Sequence, residues 1–142
     1  IASQPIIEKQ DSLPIEQYLG NKETILIVDD VKEQILIAKM ILQRLNYTVD
    51  SVSSGEEAIK YLENRSCDLL LLDMIMDPGI DGFETYKRIR QLNPDQKVIL
   101  ASGFSGSKRV TAAQKLGAGQ YIKKPYSVEN IGLVIKDALG KK

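Results

Sequence analysis

The chain has 142 residues, of which 43% are hydrophobic, and its 19 basic and 19 acidic side chains leave a formal net charge of zero at pH 7. This size suits one domain with a single core, and the balanced charge gives no indication of a nucleic-acid or anionic-membrane partner. Because the chain has no histidine, Ser-His triads, histidine metal sites and a phosphohistidine on this chain are excluded.

The cysteine content and the apolar runs indicate the cellular setting. Cys67 is the single cysteine and just precedes an apolar run, so we expect a small buried thiol rather than a disulfide or a metal ligand. No apolar stretch approaches the roughly 20 residues of a membrane helix, and no signal peptide is visible. We therefore expect a cytoplasmic protein whose chain makes no membrane contact.

Residues 1–22 differ in composition from the rest of the chain. They mix proline, serine and charged residues without a sustained period, which is typical of a linker or tail. Two interpretations stay open, a disordered leader and a segment whose apolar residues, such as Tyr18, pack on a neighbouring surface. We predict a linker over residues 1–22 and a folded domain over residues 23–142.

From Glu23 onward the apolar pattern alternates five times between strand and helix. We predict strands near residues 24–28, 47–52, 68–73, 97–101 and 121–122. We predict helices near residues 32–45, after Ser54, near residues 82–92, around residues 110–116 and after Ser127. Met40 and Leu92 are assigned to inward helix faces. Five β/α units with short connections predict an α/β fold, a doubly wound (βα)5 three-layer sandwich with a parallel sheet.

Two apolar runs end in acidic residues. Residues 69–72 are four leucines followed by Asp73, and residues 25–28 are followed by Asp29 and Asp30. Runs without alternation fit strands that are covered on both faces. Because ligands collect at the carboxyl edge of such a sheet, we expect the three carboxylates to lie close together there.

Close carboxylates predict a cation site. Three of them cannot all stay ionised without a counter-charge, and oxygen ligands without histidine or cysteine indicate Mg²⁺, with Mn²⁺ as a substitute. Ser102 and Lys124 follow the fourth and fifth strands and add a hydroxyl and a positive charge at the same edge. This combination predicts phosphoryl transfer to Asp73, which would become an acyl phosphate.

The chain resembles a receiver (response-regulator) domain of two-component signalling over about residues 23–140. The resemblance rests on the motifs ILIVDD, LLLLDMIMDPGIDG, VILASG and YIKKPYS, in this order and at the spacing of the family. It implies a flavodoxin-like sheet with strand order 2-1-3-4-5.

The resemblance also implies roles for the residues that match these motifs. Asp73 corresponds to the phosphoacceptor, Asp30 to a direct metal ligand, and Asp29 to a ligand that acts partly through water. Ile75 is expected to offer its backbone carbonyl to the metal.

Further roles concern the fourth and fifth strands. Ser102 corresponds to the switch hydroxyl and Tyr121 to the switch aromatic that moves inward with it. Lys124 is similar to the lysine that contacts the phosphoryl oxygen, and a cis peptide is expected before Pro125. Lys123 is interpreted as a solvated surface charge.

The loop after the third strand departs from the family pattern. Asp73 and Asp81 are eight positions apart instead of seven, and Asp77 is the extra residue. Two roles for Asp77 stay open, a cap of the next helix and an added negative charge beside the metal. Ile75 and Phe104 are apolar, which leads us to expect slow hydrolysis of the phosphoryl group.

The resemblance implies partners as well. The phosphoryl donor is expected to be a phosphohistidine on a histidine kinase or a histidine phosphotransfer domain. The fourth helix, fifth strand and fifth helix, around residues 108–126, form the expected partner or homodimer face. We expect no enzyme in the isolated domain beyond its own phosphorylation and dephosphorylation. The sequence favours a C-terminal receiver of a hybrid sensor histidine kinase over a stand-alone receiver.

Other interpretations stay open. Asp73 and Ser102 taken singly are compatible with turn residues, and Tyr121 with an ordinary core residue. The chain is also compatible with a degenerate receiver that binds proteins independently of phosphorylation. A small metal-dependent phosphatase is a third interpretation, but Ile75 stands where such an enzyme needs a second acid.

Overall fold

A computed structural model describes residues 14–76, 79–103 and 108–140. The described chain contains a five-stranded parallel sheet whose strand order is β2-β1-β3-β4-β5, which confirms the predicted topology. The strands are β1 (Thr24–Val28), β2 (Thr48–Val52), β3 (Leu69–Asp73), β4 (Val98–Ser102) and β5 (Tyr121–Lys123). The helices are α1 (Lys32–Arg44), α2 (Gly55–Asn64), α3 (Gly82–Leu92), α4 (Lys108–Lys115) and α5 (Val128–Gly140), and a short 3-10 helix, Ile15–Gln17, precedes β1.

Helices cover both faces of the sheet, which explains the leucine run of β3. All five residues of this strand are buried, and it pairs with β1 on one side and β4 on the other. Leu69 and Leu71 join the core beneath α1 and α5, whereas Leu70 and Leu72 join the core beneath α2, α3 and α4. Alternate side chains therefore enter different cores, and both sets must be apolar.

Side-chain caps begin three of the helices. Ser54 and Asp81 each accept a hydrogen bond from the backbone N–H three residues further on, at 3.1 and 2.9 Å. Ser127 Oγ accepts from the backbone N–H of Asn130 at 3.1 Å, and Asn130 Oδ1 accepts from the backbone N–H of Ser127 at 2.8 Å. The predicted helix starts at Ser54 and Ser127 are thus confirmed.

Two residues predicted to face inward are exposed instead. Met40 is 62% exposed, because a residue two positions after the buried Ala38 is rotated by about 200° around the helix axis. Leu92 is 45% exposed although Ile89, one turn earlier, is buried. The buried stripe of α3 therefore ends one turn before the helix does.

Part of the segment predicted as a linker packs against the domain. Tyr18 is only 2% exposed, and its ring lies against Gly132 of α5, where any larger side chain would meet it. Gly20 N–H donates to the carbonyl of Leu45 at 2.8 Å, and Asn46 Nδ2 donates to the carbonyl of Gly20 at 3.0 Å. Residues 15–20 therefore bridge α1 and α5. Residues 1–13 lie outside the described residues, and the division at residue 22 stays a prediction.

Two further sequence expectations concern Cys67 and membranes. Cys67 is half-buried, and burial raises the pKa of its thiol to about 11. Among the described residues, no helix combines the length and the apolar content that crossing a bilayer requires.

Candidate functional site

The register of the sheet brings the predicted carboxylates together. Val28 of β1 stands opposite Leu72 of β3, so the residues that follow these strands emerge side by side at the carboxyl edge. Each of Asp29, Asp30 and Asp73 places one carboxylate oxygen within 4.8 Å of the others. The structure therefore joins all three acids at one point, while their individual roles stay predictions.

Burial and neighbouring charges shift the ionisation of Asp73. Asp29 is fully buried, Asp73 is 4% exposed, and Asp30 is half-buried. Burial is the main cause that raises the pKa of Asp73 to about 6, and the Asp29 carboxylate adds to it. Lys124 opposes this shift, and Asp30 raises the pKa further. The position of Asp73 thus disfavours its charge even with Lys124 nearby, and a further cation would favour the ionised form.

Lys124 lies within the acidic cluster. Its Nζ donates to Asp29 Oδ2 at 2.7 Å and lies 3.2 Å from Asp73 Oδ1. Its backbone N–H donates to the carbonyl of Ser102 at 2.8 Å, which ties the end of β5 to the end of β4. The peptide between Lys124 and Pro125 is cis, as the resemblance implied. The predicted lysine therefore bridges the buried carboxylates of Asp29 and Asp73.

The donor set fits a hard divalent cation. Asp29, Asp30 and Asp73 offer three oxygen ligands, without the nitrogen or sulfur ligands that favour zinc or copper. Asp29 is held in place because its Oδ1 accepts a hydrogen bond from the backbone N–H of Val31 at 3.0 Å. The side chain of Ile75 is 51% exposed at the rim, and its carbonyl as a metal ligand stays a prediction.

The predicted switch residues lie on the two strands nearest this edge. Ser102 is the last residue of β4 and is 1% exposed, one position after Ala101, which stands opposite Asp73. Tyr121 is the first residue of β5, half-buried, and packs against the core beneath α2, α3 and α4. Lys123 is exposed, in agreement with its interpretation as a surface charge. The switch roles of Ser102 and Tyr121 stay predictions.

Sequence reasoning missed two side chains at this site. Tyr126 is 8% exposed, and its ring centroid lies 5.8 Å from Lys124 Nζ. Burial raises the pKa of Tyr126, and the nearby charges of Asp29 and Asp73 raise it further. The sequence signal that pointed to Tyr126 was its position two residues after Lys124. Gln34 of α1 gave no local signal, because only the packing of the helix brings it to the site.

An open cavity gives access to Asp73. It has a volume of about 440 Å³. Its lining residues come from α1 and from the loops that follow β1, β3, β4 and β5: Val31, Gln34, Asp73, Ile75, Gly103, Lys124 and Pro125. A reactant that reaches the carboxylate by this route passes between apolar side chains and meets the lysine beside the acid.

The loop after β3 is described only in part. Asp77 and Phe104 lie outside the described residues. Asp81 caps α3, and its carboxylate also pairs with Arg109 of α4. Ile80 N–H donates to the carboxylate of Glu56 on α2 at 3.0 Å, so the loop is tied to the neighbouring helix.

Comparisons with known proteins identify the family to which this chain is similar. The family model described as the response regulator receiver domain matches residues 25–136. The transcriptional regulatory protein ResD of Bacillus subtilis is 34% identical over 119 residues, which make up 84% of this chain and 49% of ResD. The autoinducer 1 sensor kinase/phosphatase LuxN of Vibrio harveyi is 30% identical over 128 residues, which make up 90% of this chain and 15% of LuxN.

Solved structures show the same architecture. The response regulator protein TrrA of Thermotoga maritima, solved in complex with Mg²⁺ and BeF, superposes with a TM-score of 0.75 and 31% identity, covering 82% of this chain and 98% of TrrA. A CheY-like receiver domain protein of Methanospirillum hungatei superposes with a TM-score of 0.77 and 29% identity, covering 82% of this chain and 93% of that one.

Proposed function

This chain belongs to the family of response regulator receiver domains of two-component signalling, and on that premise we propose that it accepts a phosphoryl group on Asp73. The donor is a phosphohistidine of a histidine kinase or a histidine phosphotransfer domain, since this chain has no histidine of its own. The isolated domain acts as a signalling module that promotes only its own phosphorylation and dephosphorylation.

One observation carries this proposal. The carboxylates of Asp29, Asp30 and Asp73 meet within 4.8 Å, and Lys124 Nζ lies 2.7 Å from Asp29 and 3.2 Å from Asp73. A turn-forming aspartate explains neither the convergence of acids from two strands nor the lysine between them. A nucleophilic carboxylate, oxygen ligands for a cation and a compact positive charge are the groups that phosphoryl transfer requires.

The chemistry follows from this arrangement. A carboxylate oxygen of Asp73 attacks the phosphorus atom, a P–O bond forms, and the P–N bond to the donor imidazole breaks, so that the ring leaves with the electron pair. Lys124, already beside Asp73 Oδ1, is placed to contact a phosphoryl oxygen. Mg²⁺, or Mn²⁺ in its place, held by Asp29, Asp30, Asp73 and the carbonyl of Ile75, would neutralise the charge of the phosphoryl group.

The output of the reaction is a shift in the surface next to the site. The new phosphoryl oxygens attract the hydroxyl of Ser102 and the ammonium group of Lys124, and Tyr121 turns inward with Ser102. These residues lie on or beside β4 and β5, so the face formed by α4, β5 and α5 changes with them. We assign partner binding, or homodimer formation, to that face.

The parent protein is part of the proposal as well. The match covers 15% of LuxN, a sensor kinase/phosphatase, and 49% of ResD, a transcriptional regulatory protein. We favour the C-terminal receiver of a hybrid sensor histidine kinase as the origin of this chain. On this assignment, we expect phosphotransfer to be faster from the kinase core of the same polypeptide than from unrelated kinases.

The first prediction tests the acceptor. Incubation with acetyl phosphate and Mg²⁺ is expected to add one phosphoryl group to the wild-type chain, and Asp73→Asn is expected to abolish this addition. Intact-protein mass spectrometry measures the added mass, with EDTA to remove the metal and Asp95→Asn as a control on the exposed surface.

Two outcomes contradict the assignment. Phosphorylation at one site that persists in Asp73→Asn places the acceptor elsewhere. Absence of any Mg²⁺-dependent phosphorylation of the wild-type chain, by acetyl phosphate and by histidine kinases alike, favours a degenerate receiver that binds partners independently of phosphorylation.

A further inference from the structure

Gln34 lines the same cavity as Asp73 but belongs to no recognised motif of the chain. It occupies the first turn of α1, where its backbone N–H donates to the carbonyl of Val31 at 3.1 Å. Its half-buried side chain lines the open cavity together with Asp73 and Lys124. A reactant that enters the cavity therefore passes the amide group of Gln34.

The amide oxygen of Gln34 has no hydrogen-bond donor. Among the described residues, only Gln34 Oε1 and Tyr47 Oη are buried side-chain polar atoms without a partner. Tyr47 comes just before β2 and so lies at the amino edge of the sheet. Gln34 Oε1 is therefore the unpaired atom at the carboxyl edge, where Asp73 lies. Buried polar atoms are nearly always paired in native proteins, and an unpaired one calls for an explanation.

The neighbouring groups do not supply a donor to this oxygen. Lys124 directs its Nζ to Asp29 and Asp73, and Asp73 is itself an acceptor when ionised. Gln34 Oε1 has almost no exposed surface, so it accepts from a donor in the cavity only after the amide turns about its terminal torsion, which is broad for glutamine. A donor that arrives in the cavity would therefore give the oxygen its missing hydrogen bond.

We infer that Gln34 Oε1 accepts a hydrogen bond from the ring N–H of the incoming phosphoimidazole, and so orients the leaving group towards Asp73. This inference rests on the proposed phosphoacceptor function and names a contact to the donor within it. An imidazole that carries phosphorus on one nitrogen has an N–H on the other nitrogen only when the ring is protonated, and this protonated form is the one that leaves as neutral imidazole. A neutral amide oxygen suits that N–H and adds no negative charge beside the three carboxylates.

The reaction balances with this contact in place. The phosphoimidazole carries a proton on the ring nitrogen that faces Gln34. Asp73 forms the P–O bond, and the P–N bond breaks with its electron pair going to the leaving nitrogen. The ring then departs as neutral imidazole, which retains the proton, so no further acid or base is needed.

The test compares two small phosphoryl donors on the full 142-residue chain. Monophosphoimidazole has a leaving group with a ring N–H, whereas the leaving group of acetyl phosphate has no donor. Rate constants for phosphorylation of Asp73 by each are measured by intact-protein mass spectrometry with saturating Mg²⁺. In Gln34→Met, which keeps the length but not the acceptor, the ratio of the phosphoimidazole rate to the acetyl phosphate rate is expected to fall about tenfold, the loss of one hydrogen bond.

Two further variants separate this role from general packing. Gln34→Glu retains an oxygen acceptor at the same position but adds a negative charge, and its ratio is expected to stay above that of Gln34→Met. Gln43→Met makes the glutamine-to-methionine change at an exposed site on the same helix and is expected to keep the wild-type ratio.

The outcomes distinguish this inference from the function on which it rests. An unchanged ratio in Gln34→Met, or an equal loss of rate with both donors, overturns the role of Gln34 while Asp73 remains the acceptor. A wild-type chain that takes a phosphoryl group from neither donor overturns the proposed function and this inference together.

Discussion

Asp73 carries its charge where the surrounding protein disfavours charge. Asp73 is 4% exposed, the Asp29 carboxylate lies within 4.8 Å, and Lys124 offsets part of the repulsion. Burial and Asp29 raise its pKa to about 6 from an ordinary value of 3.8. These features therefore reduce the stability of the metal-free fold.

The pH dependence of stability tests this cost. The folded chain holds a proton on Asp73 up to about pH 6, whereas the unfolded chain loses it near pH 3.8. Between these values the folded state binds more protons, so this residue makes the free energy of unfolding decrease as the pH rises. Asp73→Asn removes this contribution, and we expect it to stabilise the metal-free chain at pH 7 by about 1–2 kcal/mol.

Urea denaturation in EDTA at pH 4.5 and pH 7 measures this effect, with the exposed Asp95→Asn as the matched control. The stabilisation by Asp73→Asn should be larger at pH 7 than at pH 4.5. A variant less stable than wild type at pH 7 would contradict the argument, since it would mean that the pairing with Lys124 outweighs burial and repulsion.

At the scale of helices and strands, the sequence predicts where a helix starts better than it predicts which face of the helix is buried. Ser54 and Ser127 cap their helices through bonds to residues three positions further on, which a sequence pattern captures directly. Met40 and Leu92 are apolar and lie in correctly predicted helices, yet both are exposed. The exposure of a helical residue depends on which neighbour lies across from it, and this is not a local property.

The cap of α5 matters because this helix starts next to the site. Ser127 follows Lys124, Pro125 and Tyr126, and its exchange of hydrogen bonds with Asn130 fixes the turn between β5 and α5. Ser127→Ala leaves the backbone N–H of Asn130 without its side-chain acceptor, and we expect a loss of about 0.5–2 kcal/mol in the free energy of unfolding.

Urea denaturation measures this loss, and the m-value is expected to stay unchanged. Ser127→Asp serves as the control because it keeps a side-chain acceptor at the cap position. Equal stability of Ser127→Ala and wild type would show that water replaces the cap at no cost.

At the scale of the whole molecule, the residues before β1 belong to the packed structure. Tyr18 is 2% exposed and fills the space left by Gly132, and the backbone of Gly20 bonds to the end of α1. The segment therefore connects two helices that lie on the same face of the sheet.

Removing the Tyr18 ring tests how much this connection contributes. Tyr18→Ala leaves a cavity over α5, and we expect it to lower the free energy of unfolding by about 2–4 kcal/mol. Ile15→Ala, at a residue of the same segment that is 40% exposed, is the matched control, and its effect should stay within about 0.5 kcal/mol. Equal effects of the two substitutions would contradict the idea that the segment is part of the core.

Most of the fold and the acidic edge followed from the sequence. Apolar runs ending in Asp29, Asp73 and Ser102 predicted strands and the residues at their tips, because parallel strands covered on both faces must be apolar until they reach the open edge. The alternation of five strands with five helices predicted the layers, since each helix has to bury its apolar side on the sheet.

Tertiary structure alone decided the rest. The burial of Tyr18, the exposure of Met40, and the placement of Gln34 and Tyr126 around Lys124 depend on how separate helices and loops pack together. A local sequence pattern indicates which side chains a segment can bury but not which other segment packs against them. The unpaired oxygen of Gln34 becomes visible only when every possible neighbour is in place, because the absence of a partner is a property of the whole fold.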